Sequence, residues 1–528
     1  MLAPPAPSSR QYLMMTPTLL DHLISHAAQN TPAAMALSDG KGELTYAALD
    51  EAVSLCANGL LNLGLQRGER VAVYLDKRFE TVIACFGAAR AGCVFVPVNP
   101  LLKSAQVEHI LRDCNVRILI TSSERYALLQ SILGECPDLQ HVVTVNAAAS
   151  TLAWADLLAA PAAAAHAVAE NDITAIFYTS GSTGKPKGVV LSHRNLLLGA
   201  ISVASYLHNN ADDILLAALP LSFDAGFSQL TTAFYSGAKV VLLNYLLPQD
   251  VLKALARERI TGLTAVPPLY MQLTQLTWPV GLDEHLRYFA NTGGRMPLAT
   301  LNKLRANLPR SQPFLMYGLT EAFRSTYLPP EQAEQRPDSI GKAIPNTEIL
   351  VLRPDGSLCD ADEPGELVHR GPLVSLGYWN DAATTAERFK PLPKHIAAEE
   401  VAVYSGDTVR RDKEGFLYFI GRDDEMIKTS GYRVSPTEIE EAVFASGLVA
   451  ECCAFGVEDA KLGQSISLIA VPTPHQSVDA AALLAYCRNV LPAFMLPATI
   501  HIQATPLPRN ANGKLDRKLL STQPVTTS

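Results

Sequence analysis

From Arg70 onward the sequence alternates short β-branched runs with amphipathic stretches: RVAVYLD at 70–76, an apolar-faced segment after Arg78, VFVPV at 94–98, SAQVEHILRDC at 104–114 and RILIT at 117–121. Strand, helix, strand, helix in this order predicts a mainly parallel sheet covered by helices, because parallel neighbours need a crossover between them. A second such run follows with ITAIFYT at 173–179, ILLAAL at 214–219, AKVVLL at 238–243, GLTAV at 262–266 and RYFANT at 287–292. Two related α/β lobes are the expected result. The Ala-rich segment at 146–170 between them reads as a connector. Beyond about residue 345 the texture changes to short strands with Gly-Pro or Asp-Gly turns (EILVLRPDGSLCD, GELVHRG, GFLYFIGR), and a last α/β-patterned stretch runs from Met426 to Leu520. The fold class is therefore α/β, with a large N-terminal domain of two lobes plus a small β subdomain at 1–423. A small α+β C-terminal domain at 424–520 and a tail at 521–528 complete it. The full length of 528 residues suits two to four units.

Charge and composition remove several function classes. The 43 basic and 51 acidic residues sum to −8, so the chain offers no general cationic surface for nucleic acid or anionic lipid. Hydrophobic residues at 48% and charged residues at 18% describe a packed chain. The stretch MLAPPAPSSRQYLMM lacks a basic region followed by an apolar one, and no apolar run approaches the ~20 residues of a membrane span. Nine cysteines, an odd number without a CxxC pair, read as reduced, buried thiols of a cytoplasmic protein.

The sharpest local feature is TSGSTGKPKG, Thr179 to Gly188, directly after the apolar strand ITAIFY. Small, hydroxylated and glycine residues let backbone amides and hydroxyls approach phosphate oxygens, while Lys185 and Lys187 add positive charge. It is not a Walker A loop, because Pro186 breaks the GxxxxGK[ST] spacing. The wider segment YTSGSTGKPKGVVLSHRN (178–195) resembles the signature of the adenylate-forming superfamily, which includes acyl-CoA synthetases, peptide-synthetase adenylation domains and firefly luciferases. YGLTEA (317–322), YSGDTVRRDKEGFLYFIGR (404–422), DEMIKTSGYRVSPTEIE (424–440) and NGKLDRK (512–518) match further blocks in the right order. Within the superfamily the chain looks most like the acyl-CoA ligases associated with exosortase A systems.

The resemblance implies a two-step reaction: a carboxylic acid and ATP give acyl-AMP and pyrophosphate, and a thiol, of CoA or phosphopantetheine, then displaces AMP. Crowded negative charge calls for donors, cations and Mg²⁺. By resemblance, Thr179, Ser180, Gly181, Ser182, Thr183, Gly184 and Lys187 wrap the β- and γ-phosphates. Tyr317 lies against the adenine, Thr320 meets the α-phosphate and Glu321 binds Mg²⁺. Asp407 and Arg422 hold the ribose, and Lys514 bridges the substrate carboxylate and α-phosphate. Asp424 falls at the hinge about which the C-terminal domain turns, and Lys428 and Gly431 lie on the face that serves the thioester step.

The acid pocket follows LPLSFDAGFSQL (219–230). Phe223 stands where many fatty and aryl acid ligases carry His. Asp224 matches an aspartate that holds an amino acid's α-ammonium in peptide synthetases, yet it also suits a helix cap or an acyl-ligase role. Ser228, Asn291, Gly293, Gly294 and Gly318 are further liners by resemblance, with Phe323 and Arg324 beside them. Arg295 would meet a second carboxylate or phosphate if it faces the pocket, and solvent otherwise. The substrate is thus a fatty, aryl or amino acid, and an acyl or peptidyl carrier protein acting in trans is the alternative partner to CoA. A luciferase-like oxygenase and a non-catalytic scaffold are the competing classes.

Overall fold

The computed structural model describes residues 17–522 apart from 147, 180–185, 398–399, 423–424, 430–431, 460–461, 475–477, 492 and 511–513. The β-branched runs form strands close to where the sequence places them: Arg70–Tyr74, Val94–Pro97 and Val116–Thr121 in the first lobe, and Ile214–Ala217, Lys239–Leu242, Gly262–Ala265 and Tyr288–Asn291 in the second. Ile173–Thr179, expected to open the second lobe, instead pairs with Val94–Pro97 in the first. Val94–Pro97 and Tyr288–Asn291 are buried at every position, as strands covered on both faces require.

The first lobe is a seven-stranded sheet, parallel throughout except for its last pair, Ile173–Thr179 against Lys187–Ser192. The second sheet runs parallel from Lys239–Leu242 to Gln312–Tyr317 and continues antiparallel through Thr326–Leu328 and Ser339–Ala343 into the β subdomain. The lobes are not strictly sequential, since Met35–Ser38 pairs parallel to Lys239–Leu242 at the edge of the second sheet. The Ala-rich segment is only partly a connector: Leu152–Ala153 adds an edge strand, and the short helix Trp154–Leu158 buries Trp154 and Leu157.

The lobes share one core because the helix Asp224–Ser236 is wedged between them. Phe227 on that helix sits with ring centroids 5.0 Å from Phe95, 5.6 Å from Phe177 and 5.7 Å from Phe86, all on the first lobe. Gly226 permits the approach at the helix start, because a Cβ there would lie 1.6 Å from the Pro220 carbonyl oxygen. Gly237 ends the helix with φ of +70°, the left-handed conformation that spares glycine a steric penalty. The β subdomain is tied to the first lobe through Asn195, whose Nδ2 donates to the carbonyls of Pro372 at 2.9 Å and Val374 at 3.0 Å.

The C-terminal domain has its own sheet, in which Val449–Asp459 and Gly463–Pro472 form a long antiparallel pair flanked by Ile427–Thr429 and Thr499–Ile502. Helices Pro436–Ala445 and Ala480–Val490 pack on it over a separate core. Among the described residues no helix is long and apolar enough to cross a membrane, and all nine cysteines are free and buried.

Because Phe227 carries the contact between lobes, Phe227→Ala is expected to lower stability by about 3–5 kcal/mol, the usual cost of emptying a buried aromatic site. Chemical denaturation followed by tryptophan fluorescence measures the loss.

Candidate active site

The phosphate-loop sequence connects two antiparallel strands, with Thr179 paired to Lys187 across the ladder. The strands on either side of it therefore pair antiparallel, and the next helix, His193–Leu207, begins only after the second strand. Ser180, Gly181, Ser182, Thr183 and Gly184, with Lys185, lie outside the described residues. Lys187 Nζ donates to Thr384 Oγ1 at 2.9 Å and lies 3.4 Å from Asp381 Oδ2. That anchorage holds one cation at the start of the second strand.

The strand Gln312–Tyr317 leads into the YGLTEA turn. Tyr317 Oη donates to Asp407 Oδ2 in a short hydrogen bond, and Asp407 stands directly opposite Arg422 in the antiparallel pair Val401–Arg411 and Leu417–Arg422. Arg422 Nη1 is 3.0 Å from Asp407 Oδ1. Burial pushes the Asp407 carboxyl above the usual range, while Arg422, the Tyr317 hydroxyl, Lys514 and Arg388 oppose that rise. On the neighbouring turn, Tyr378 Oη donates to Glu321 Oε1 at 2.5 Å. Among the described residues no three His, Cys, Asp or Glu side chains gather as a metal cage. Glu321 alone fits Mg²⁺, which characteristically takes one or two carboxylates and completes its shell with phosphates and water.

On the acid side, Asp224 is the first residue of its helix and is engaged twice. Arg324 Nη1 donates to Oδ2 at 2.7 Å, and Thr320 Oγ1 donates to Oδ1 at 2.9 Å. Arg324 is only 2% exposed, so this pairing compensates a buried guanidinium. Phe323 delivers it there in a tight reversal with φ of +59° and ψ of −58°, in which Arg324 N donates to Ala322 O at 2.6 Å. Such a γ-turn is strained for a bulky residue. Packing holds it: a Cβ at Gly199 would lie 2.3 Å from the Phe323 ring. Gly318 passes close over the same arginine, and a Cβ on it would stand 3.0 Å from Arg324 Cα.

The other expected liners divide. Ser228 Oγ lies 3.4 Å from Thr232 Oγ1 inside the molecule, and Phe223 caps the helix half-buried. Asn291 works on the backbone, its Nδ2 donating to Gly294 O at 2.8 Å and its Oδ1 accepting from Met316 N at 3.1 Å. It shapes the Gly293–Gly294 loop and has its amide occupied there. Two residues had no motif to mark them: Tyr378, which bonds Glu321, and Glu441, which meets Arg295.

Lys514 reaches this loop from the C-terminal domain. Its Cε lies 3.6 Å from where a Gly293 Cβ would stand, and its backbone is held by Asn510, whose Oδ1 accepts from Lys514 N at 3.1 Å. Lys428 belongs to a strand paired with Arg433, on the sheet of the same domain. Asp424 and Gly431 lie outside the described residues. Arg295 meets a carboxylate as one of its readings required, but the carboxylate is the protein's own: Arg295 Nε is 2.6 Å from Glu441 Oε1 on the helix Pro436–Ala445. The arginine clasps the two domains and leaves the acid pocket alone.

Residues 24–379 match the AMP-binding enzyme family and residues 438–514 match the AMP-binding enzyme C-terminal domain. The chain belongs to the AMP-binding enzyme family. It is 30% identical to the feruloyl-CoA synthase of Amycolatopsis sp over 92% of this chain and 95% of that protein. It is also 30% identical to tyrocidine synthase 3 of Brevibacillus parabrevis over 95% of this chain, where it spans 8% of the relative's length. Among solved structures, the anthranilate CoA ligase AuaEII in complex with anthranoyl-AMP superposes with a TM-score of 0.86 at 26% identity, covering 96% of this chain and 97% of that one. ATP-bound MatB from Rhodopseudomonas palustris gives 0.85 at 26% identity, covering 95% and 98%. The α/β class with a large N-terminal and a small C-terminal domain, and the ATP-using ligase class, agree with this membership.

The domain clasp is expected to respond to pH. Burial pushes the Glu441 carboxyl up to about 7, with Asp338, Glu438 and Glu440 adding to the rise and Arg295 opposing it. Because the docked pKa is raised, Glu441 is neutral in the docked state below about pH 7 and needs its cation only above it. Arg295→Ala is therefore expected to weaken docking by about 1 kcal/mol at pH 8 and by much less at pH 6. A fluorophore pair on the two domains reads the difference, and Arg295→Ala with Glu441→Ala is expected to recover most of it.

Proposed function

We propose that the chain adenylates a carboxylic acid with ATP and passes the acyl group to a thiol. In the first step a carboxylate oxygen attacks the α-phosphorus and pyrophosphate leaves. In the second the thiol sulfur attacks the acyl carbon, the thiol proton is released and AMP leaves. The observation that carries this reading is the approach of Lys514 to the Gly293 loop, with its charge felt by Asp407. A cation from the small domain thereby meets the nucleotide and acid sides of the large one.

In this reading the segment Ser180–Gly184 and Lys187 would embrace the outer phosphates, and Glu321 would hold Mg²⁺, which would neutralise charge on them. Tyr317, Asp407 and Arg422 receive the nucleoside, and Thr320, Gly318, Gly293 and Gly294 border the reacting carboxylate. Residues 1–423 form the large domain and 424–520 the small one, with a tail at 521–528. Rotation about Asp424 exchanges Lys514 for the face bearing Lys428 and Gly431. The acceptor is CoA or a phosphopantetheine arm, and the set of motifs supports a place among the acyl-CoA ligases associated with exosortase A systems. Asp224 supports an acid without an α-amino group, since an α-ammonium would have to displace the guanidinium of Arg324.

Exchange of labelled pyrophosphate into ATP, screened over fatty, aryl and amino acids, tests the proposal. Acid-dependent exchange is expected, falling at least about 100-fold in Lys514→Ala, the scale of losing one charge-stabilising group. Thioester formation from supplied acyl-adenylate is expected to survive in that variant. Folded protein with Mg²⁺ and no acid-dependent exchange would overturn the reading.

A further inference from the structure

Residues 375–379 run beside the strand Lys187–Ser192, which follows the phosphate-loop segment. Leu376 N donates to Val190 O at 2.9 Å, Val190 N donates to Gly377 O at 2.9 Å, and Trp379 N donates to Gly188 O at 2.7 Å. Tyr378 itself is bridged to Val189, and its N donates to Thr385 Oγ1 at 3.0 Å. The same short stretch grips the YGLTEA turn twice. Ser375 N donates to Glu321 O at 2.8 Å, and Tyr378 Oη donates to Glu321 Oε1 at 2.5 Å. Lys187 Nζ lies 5.8 Å from the centroid of the Tyr378 ring. One side chain therefore stands beside both the acid proposed for Mg²⁺ and the lysine proposed for the outer phosphates.

We propose that Tyr378 is a positioning residue for the metal: its hydroxyl fixes the Glu321 carboxylate through Oε1, so that Oε2 is the oxygen offered to Mg²⁺ bound with ATP. The inference rests on the adenylation reading above and on Glu321 as its Mg²⁺ ligand. The last torsion of a glutamate is broad, whereas Mg²⁺ demands near-octahedral geometry, so the plane of a carboxylate that serves it has to be held. A hydrogen bond to an ionised oxygen is strong enough to hold it. The hydroxyl is a fixed point because both the backbone and the ring of Tyr378 are supported, the ring meeting Phe389 edge-on with centroids 5.7 Å apart. Val189 belongs to the strand that begins with Lys187, so the same support sets the metal acid relative to the phosphate cation.

Tyr378→Phe tests this, since it removes the hydroxyl and keeps the ring contacts. With the full chain in excess over ATP, free Mn²⁺ read from its electron paramagnetic resonance signal gives the affinity of the protein–ATP complex for the metal without turnover. Tyr378→Phe is expected to weaken that affinity by about 10- to 100-fold, the usual cost of losing the hydrogen-bond partner of a metal-bound group. ATP affinity measured in EDTA is expected to stay as it was, because the hydroxyl acts only through the metal's ligand. In pyrophosphate exchange the Mg²⁺ concentration giving half the maximal rate is expected to rise by a similar factor. In a Glu321→Gln background, itself weakened in Mn²⁺ affinity, adding Tyr378→Phe is expected to cost nothing further, since no carboxylate is left to orient. Unchanged Mn²⁺ affinity in folded Tyr378→Phe, an equal loss of ATP affinity in EDTA, or an additive loss in the double variant overturns the inference and leaves the adenylation reading standing. Unchanged Mn²⁺ affinity in Glu321→Gln overturns it as well, by taking Glu321 away from the metal. No ATP binding by the unaltered chain is a failure of the adenylation reading itself, and the inference falls with it.

Discussion

A guanidinium that is almost wholly removed from water must be paired, and the site is arranged around satisfying Arg324. Its partner Asp224 begins the helix that joins the two lobes, so one ion pair fixes the wedge helix to the turn after Tyr317. Thr320 donates to the same carboxylate, and Glu321 follows it within the same short helical turn. Removing either member would leave an uncompensated buried charge, which is why the geometry of the turn is so strongly determined. The strained backbone at Phe323 fits that logic, because the tight reversal aims Arg324 inward and the ring against Gly199 keeps it there.

The nucleotide side balances burial against charge in another way. Asp407 is buried with its carboxyl shifted upward by desolvation, and Tyr317, Arg422, Arg388 and Lys514 draw it back toward the charged form. The acidic chain gathers cations at Lys187, Arg422 and Lys514, where the proposed reaction would place its anions. Lys514 arrives there because the C-terminal domain is docked, and Arg295 with Glu441 helps to hold that docking. Under the proposed function, adenylation and domain position would be coupled through side chains that lie far apart in the sequence.

Much of this was legible in the residues. Strand runs such as ITAIFYT became strands with the same ends, because continuous β-branched and aromatic stretches suit a sheet buried on both faces. Motif blocks separated by long stretches of chain meet in space, as where Tyr317 bonds Asp407, Asp407 faces Arg422 and Lys514 reaches the Gly293 loop. Other features were not legible. The strand Met35–Ser38 pairs with Lys239–Leu242, some two hundred residues later, and pairing at that separation leaves no local signal. Arg295 could be read toward a ligand or toward solvent, and only the packing of helix Pro436–Ala445 supplied Glu441.

The sequence by itself determined the alternating α/β architecture and the family, because local apolar periodicity and ordered motif blocks are properties of neighbouring residues. Tertiary structure alone decided that the strands on either side of the phosphate loop pair antiparallel and that Asp224 is committed to Arg324. The physical reason is that a buried charge or polar atom takes its meaning from whatever partner the fold brings to it, and the chain order does not say which partner that is.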